Sequence, residues 1–386
     1  MKTRRFVLAA IVLLLIVALL PVLVGMRVEA WYQQLAEQRA VSRLGFDRGW
    51  FESSARWRLQ LPDMPAFEVV DEIRHGPLLP SGGVALASIR SRFSSDTPLS
   101  SSVIHARTRI ALDGDGRVFV RIPKSIPLPG ARLGGDADGE IRFDAGFETL
   151  DADFHLPSLD LLLAGDRLRL DDTALRIGLQ RVADDWLVAL HVAADGLRMA
   201  QRRYTGLRAD IDLKHVDPYL LQTLLSASRQ RHANAIVAGL ARLQLATQVL
   251  PMFLADGPEL VLRRLRLRTD QGELSASGRL SVDPAWQRES RSLFKVPAYL
   301  LARLDASMPV ELARRLLRLG LRLRESGNRG RGVAGEAHAG QRLESLIADG
   351  WLLRKGDRLD VHVNLQDGIL AINGKALPLN LLLFGS

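Results

Sequence analysis

Eight histidines and no cysteine bound the chemistry open to this 386-residue chain. Without a thiol there is no disulfide framework, no thiolate zinc site and no cysteine nucleophile. The histidines form neither His-x-His nor His-Glu-x-x-His, so a metal site would need distant ones to converge, and neither metal nor cofactor is expected. His105, His191 and His362 fall in alternating stretches and read as ordinary sheet residues. His75 differs, because it stands in an expected loop before Gly76-Pro77. There an imidazole acts as a general base or hydrogen-bonds the turn, and the structural role is favoured.

Two glycine patterns are similar to ligand loops and fail on context. Gly330, Gly332 and Gly335 spell G-x-G-x-x-G, but a dinucleotide loop must follow a strand and open a helix, and here an arginine-rich helix precedes it. Residues 326–335 read better as a linker. Asp113-Gly114-Asp115-Gly116 starts like a calcium loop, yet Lys124 occupies the place of the closing glutamate, so a hairpin turn is expected. No Gly-x-Ser-x-Gly elbow and no Walker-type loop is present. No catalytic residue is assigned, and a non-enzymatic chain is expected.

Charge supplies the remaining chemistry. The net charge is +9, and nearly all the basic residues are arginine, which favours anionic partners. The densest cluster is Arg314, Arg315, Arg318, Arg322 and Arg324, interleaved with leucines. On a helix Arg314, Arg318 and Arg322 align at four-residue spacing. Such a helix either lies at a membrane interface with its arginines on anionic headgroups, or packs on a sheet with its arginines solvated. The packed form is favoured. Gly49-Trp50-Phe51 offers paired aromatics, expected to fill the end of a sheet rather than to touch a membrane.

The elements that position these residues begin with an apolar run. Lys2, Arg4 and Arg5 precede residues 6–24, which carry no charge. At ~1.5 Å per helical residue this run spans about 30 Å of hydrocarbon. A cleaved signal peptide is the rival reading, though its apolar core is usually only about 7–15 residues long. The division expected is a cytoplasmic stub and transmembrane anchor over 1–25 and a β-rich domain over 26–386. The positive-inside rule puts that domain in the periplasm of a bacterium, tethered to the inner membrane through residues 6–24. Nucleic acid is disfavoured in that location.

Strand-like alternation of period two recurs over residues 53–61, 104–112, 118–122, 147–156, 174–179, 186–192 and 207–213. Asp-Gly pairs between 112 and 118 mark a hairpin. Asp217-Pro218 suits an N-cap and first helical position and opens an expected helical stretch over 217–250. Strands return over 260–269 and 274–282, helices are expected near 310–325 and 341–354, the second ending at Gly356, and a hairpin closes the chain around Gln366-Asp367-Gly368. The class expected is α+β, mainly antiparallel sheet with helical insertions behind one transmembrane helix. A division into halves 26–215 and 216–386 is also compatible.

Several blocks together carry a family resemblance. They are Arg48-Gly49-Trp50-Phe51-Glu52-Ser53-Ser54, then Ile73-Arg74-His75-Gly76-Pro77, then Leu250-Pro251-Met252 leading to Gly257-Pro258-Glu259-Leu260 and Asp283-Pro284, and last Asp367-Gly368-Ile369-Leu370-Ala371-Ile372-Asn373-Gly374. In this order they resemble the YdgA family of bacterial membrane-anchored proteins, a domain of unknown function. The resemblance implies an inner-membrane anchor and a periplasmic domain, and no chemistry. Within it Gly49, Trp50, Phe51, Ser53, Ser54, His75, Gly76, Pro77, Asn373 and Gly374 are motif residues without an assigned role.

The function expected is a non-enzymatic envelope factor that binds a lipid, a lipidated molecule or another envelope protein. A scaffold acting by homodimerisation or other protein contacts is the alternative. A periplasmic enzyme using His75 with scattered carboxylates is the least favoured.

Overall fold

A computed structural model describes residues 26, 41–60, 66–76, 84–95, 103–126, 130–163, 166–183, 185–199, 202–217, 252, 254, 257–283, 285–286, 296–317 and 335–378. The chain divides into two compact units, Met1–Asp160 and Leu161–Ser386. The expected anchor over 1–25, the helix expected after Asp217 up to residue 250, Pro77 and the glycines of the expected linker before Gly335 lie outside the described residues. Among the described residues no helix is long and apolar enough to cross a membrane.

Unit 1 carries β1 (Val41–Arg48), β2 (Glu52–Leu59), β3 (Phe67–His75), β4 (Ala87–Ser95), β5 (Val103–Ile110), β6 (Gly116–Ile122), β7 (Ala131–Leu133), β8 (Ala137–Phe143) and the start of β9 (Thr149–Leu163). Each strand from β1 to β6 pairs antiparallel with the next, β6 pairs with β8, and β8 pairs with β9. The period of two decides which face is covered. Along β3, Phe67, Val69, Asp71, Ile73 and His75 are all buried, while Glu68, Val70, Glu72 and Arg74 face the other way. Ala55, Ile73, Ala87 and Ile89 form a core with Phe46, Trp57, Leu86 and Ile110 packed around it. Removing such side chains from water contributes about 1.5–3 kcal/mol each for the larger ones.

Unit 2 carries β10 (Asp166–Val182), β11 (Asp185–Met199), β12 (Arg202–Val216), β13 (Glu259–Thr269) and β14 (Gly272–Val282). They are followed by α1 (Val296–Tyr299), β15 (Leu300–Pro309), α2 (Gly335–Ala348), β16 (Leu353–Lys355), β17 (Arg358–Gln366), β18 (Ile369–Ile372) and β19 (Lys375–Pro378). The strands from β10 to β15 form an antiparallel meander, β15 pairs with β17, and β17 receives both β16 and β18 on its other edge. After β14, Asp283 accepts a hydrogen bond from the Ala285 amide (2.8 Å) and turns the chain so that Trp286 packs fully buried against Leu254 and Val282.

The antiparallel, strand-rich class holds, and so do the hairpins at 110–116 and 269–272. Three local expectations change. His75 ends strand β3 instead of standing in a loop. The helix expected over 341–354 stops at Ala348. Gly350, with φ of 68°, takes the left-handed position after the helix, and its amide and that of Trp351 bond back to Ile347 and Leu346. Residues 353–355 are then a strand, and Gly356 is the turn of its hairpin onto β17. Finally, Trp50 and Phe51 do not fill the sheet's end, since they are 55% and 61% exposed.

Candidate functional site

The first two family-like blocks become neighbouring strands, with Glu52 opposite Arg74 and Ser53 opposite Ile73. Gly49 and Gly76 are required by close backbone approach. A Cβ on Gly49 would lie 2.3 Å from the Glu52 carbonyl oxygen, and one on Gly76 1.7 Å from that of Ala85. On the covered face the Ser53 Oγ and the His75 Nε2 are 2.8 Å apart. Ser54 takes the opposite, exposed face. A hydroxyl on an imidazole is the geometry of a base-activated nucleophile. Here, however, Ser53 is 6% and His75 3% exposed, and no described residue bonds His75 Nδ1 to orient the ring. Burial pushes the imidazole below its ordinary pKa and so favours its neutral form. The pair ties β2 to β3, as does the 2.7 Å bond from Trp57 Nε1 to Asp71 Oδ2 further along the same strands.

The closing block is likewise built for the chain turn. Asn373 adopts φ of 50° and Gly374 84°. The Asn373 amide nitrogen donates to the Trp351 and Asp360 carbonyls at 2.8 and 3.2 Å, and its oxygen accepts from the His362 amide at 2.9 Å. One side chain thus satisfies three backbone groups, two on β17 and one at Trp351.

The helical cluster of arginines is only partly described. Residues 310–317 are helical; Arg318, Arg322 and Arg324 lie outside the described residues. Arg314 and Arg315 both reach Glu311, and Arg315 also donates to the Tyr204 hydroxyl at 3.3 Å. Leu312 beside them is buried.

A second arginine set, spread over the strands of unit 1, is brought together by register. Across β4 and β5, Arg90 stands directly opposite Arg107. Across β5, β6 and β8, Arg109 stands opposite Arg117, and Arg117 opposite Arg142. All are exposed. Arg92 is held by Glu72 and Arg121 by Asp138 (3.0 Å); Glu72 also stands opposite Arg90 across β3 and β4, but no described residue forms an ion pair with Arg90 or Arg107. Arg90, Arg92, Arg107 and Arg121, with His105, Phe119 and the engaged carboxylates Glu72 and Asp138, line an open groove of about 680 Å³. Like charges directly opposite on a sheet cost stability rather than supply it. A phosphate or carboxylate between Arg90 and Arg107 would reverse that sign and accept two charge-assisted hydrogen bonds. The alternation of Arg107 and Arg109 is visible in the sequence; their partners on β4, β6 and β8 are not.

Unit 2 has its own polar groove of about 450 Å³, lined by Arg264, Arg266, Ser277, Asp305, Asp360 and His362. Its basic groups already have acids. Asp210 bonds His191 (3.0 Å) and Arg264 (2.7 Å), Asp305 bonds His362 (2.7 Å) and Arg303 (3.3 Å), and Asp360 meets Lys355 at 2.9 Å. Hydrogen bonding from His191 first, and from Arg264 against the pull of desolvation, holds the Asp210 carboxyl below the usual range. His362 and Arg303 do the same for Asp305. Among the described residues no group of histidines and carboxylates could hold a metal ion.

The family described as a bacterial protein of unknown function (DUF945) matches the chain over residues 1–188 and again over 188–380. No curated protein and no solved structure matches it.

Proposed function

This chain belongs to the DUF945 family of bacterial proteins, and on that premise we propose that it is a membrane-anchored, non-enzymatic envelope factor that binds the phosphate group of anionic lipids in the arginine groove of unit 1. The observation that carries the reading is the exposed Arg90 and Arg107 pair, set face to face with no ion pair of their own among the described residues, since Glu72, opposite Arg90 on β3, is engaged by Arg92. The apolar run over residues 6–24 behind Lys2, Arg4 and Arg5 supports an inner-membrane anchor with the remaining chain in the periplasm. Arg314 and Arg315 contribute less to such a site, because Glu311 and Tyr204 already engage them.

Native mass spectrometry of the full chain released from a neutral detergent tests this. The expected result is protein carrying phosphatidylglycerol or another anionic lipid, which Arg90→Gln with Arg107→Gln removes. A lipid-free dimer would overturn it in favour of a scaffold acting through protein contacts. Protease added to spheroplasts should digest the chain beyond residue 26; a chain digested only after lysis would overturn the periplasmic placement.

A further inference from the structure

Several large apolar side chains of unit 1 are left in solvent, and the topology collects them at one end of its sheet. Trp50 and Phe51 lie in the turn from β1 to β2, Leu112 in the turn from β5 to β6 and Phe147 in the turn from β8 to β9. Their exposures are 55%, 61%, 59% and 44%. In an antiparallel sheet these three turns share one end, and Val84, 52% exposed, precedes β4 at that end too. Backbone hydrogen bonds join the turns side by side. His75 donates to the Phe51 carbonyl, Gly76 to Leu86, and Leu86 to Ile110. Asp115 then accepts from the Ala145 amide at 3.1 Å. From β2 to β8 the line covers five strand spacings of about 4.8 Å, roughly 24 Å.

The tips are held rigidly. Gly114 lets the β5–β6 and β8–β9 turns touch, since a Cβ there would come within 2.7 Å of the Ala145 Cβ. Phe147 keeps φ of 54°, a conformation that costs a bulky residue energy, and stacks its ring on Phe143 at 4.8 Å. Asp113, Asp115 and Asp144 turn oxygens to backbone amides of these loops. Just behind the tips runs the row of Arg109, Arg117 and Arg142, the last bonded to Glu140 at 2.8 Å.

We propose that this rim is an interfacial contact that seats unit 1 on a phospholipid bilayer, its aromatic and leucine tips at the acyl boundary and its arginine row at the phosphates. A row of protruding tips suits a deformable surface better than a shape-matched protein, and apolar tips backed by cations are the pattern of an interfacial element. The inference rests on the anchored reading for the nearness of a membrane. Fifteen residues, 26–40, separate the expected anchor from β1. At up to ~3.3 Å per extended residue they can reach about 50 Å, more than the roughly 27 Å that the eight residues of β1 cover, so the rim at the far end of β1 can face the same membrane.

The chain lacks cysteine, so single cysteines carry a polarity-sensitive dye cleanly. The full-length variants Leu112→Cys and Phe147→Cys would be labelled and mixed with phosphatidylethanolamine and phosphatidylglycerol vesicles, alongside Lys124→Cys, whose exposed site lies just beyond the opposite end of β6. The rim probes are expected to shift to the blue and to lose emission to a quencher on shallow lipid carbons, while the probe at 124 does neither. Arg109→Glu with Arg117→Glu should weaken both changes. Rim probes that stay in water, or that respond no more than the probe at 124, would overturn the proposal, whether or not the chain is anchored. Resistance of the unlabelled chain to alkaline extraction reads the anchor separately. A rim signal from a chain that alkali extracts would keep the rim and remove the anchor.

Discussion

The exposed arginines of unit 1 and of unit 2 have similar strand settings and opposite surroundings. In unit 2 Arg198 and Arg169 share Asp171, Arg264 meets Asp210, Arg279 meets Glu259 and Arg263 meets the buried Asp212. In unit 1 the register sets Arg90 on Arg107 and Arg117 between Arg109 and Arg142. Unit 2 also sets arginines opposite one another, Arg198 against Arg169 and Arg203, and Arg208 against Arg266. In each of these pairs at least one member meets an acid, whereas neither Arg90 nor Arg107 forms an ion pair among the described residues. Whether the charge of an arginine-rich strand is paired or left open therefore depends on which acids the register brings within reach, and composition does not distinguish the two.

The contrast breaks most strongly at Asp210. Asp210→Ala removes the shared partner of His191 and Arg264, each nearly half exposed, and should cost about 1 kcal/mol, seen as a lower urea midpoint, whereas Arg107→Ala should leave the midpoint level or raise it. If both variants lose stability alike, the two faces are not different in kind.

Acid should separate the units next. Asp171, Asp210, Asp305 and Asp360 in unit 2 all sit below the ordinary carboxylate range. The leading causes are hydrogen bonds from Arg169, His191, His362 and Lys355 respectively. A lowered folded value stabilises the fold fully above the unfolded aspartate value of ~3.9 and loses that contribution as pH falls through the folded value. In unit 1 only Glu140 and Asp144, among the described carboxylates, show the same lowering. Hydrogen exchange followed downward from about pH 4 should expose the strands β11 to β15 before β2 to β6. The reverse order would contradict the assignment.

The smallest effect sharpens the comparison. Arg107→Glu puts an acid opposite Arg90 on the β5 side, where Glu72 on the β3 side is engaged by Arg92, and should stabilise unit 1 by about 0.2–1 kcal/mol while reducing its affinity for anionic lipid. A stabilised variant that keeps its affinity would detach the groove from binding.

Legibility in the sequence follows the range of the interaction. The hairpins around Asp113-Gly114 and Asp270-Gln271-Gly272 are readable because a turn and its flanking alternation are local. β3 escapes a periodicity reading because Asp71 and His75 interrupt its apolar face; each takes one hydrogen bond from β2, with Trp57 and Ser53, which alternation cannot reveal. The helix end expected at Gly356 comes earlier because the Gly350 and Trp351 amides bond back to Ile347 and Leu346, a closure that the apolar spacing does not show. For the candidate site, the outward direction of Arg107 and Arg109 is legible and the facing of Arg90 by Arg107 is not, since register between strands depends on the whole sheet.

The most direct test of the arginine groove is a titration of the full chain, in a neutral detergent, with short-chain phosphatidylglycerol and with the matching phosphatidylcholine. The chain should prefer the glycerol lipid, lose roughly tenfold in affinity, or about 1.4 kcal/mol, when Arg90 and Arg107 become glutamine, and lose nothing with Arg264→Gln. Equal affinity for the two lipids, or equal binding by all three proteins, would contradict it.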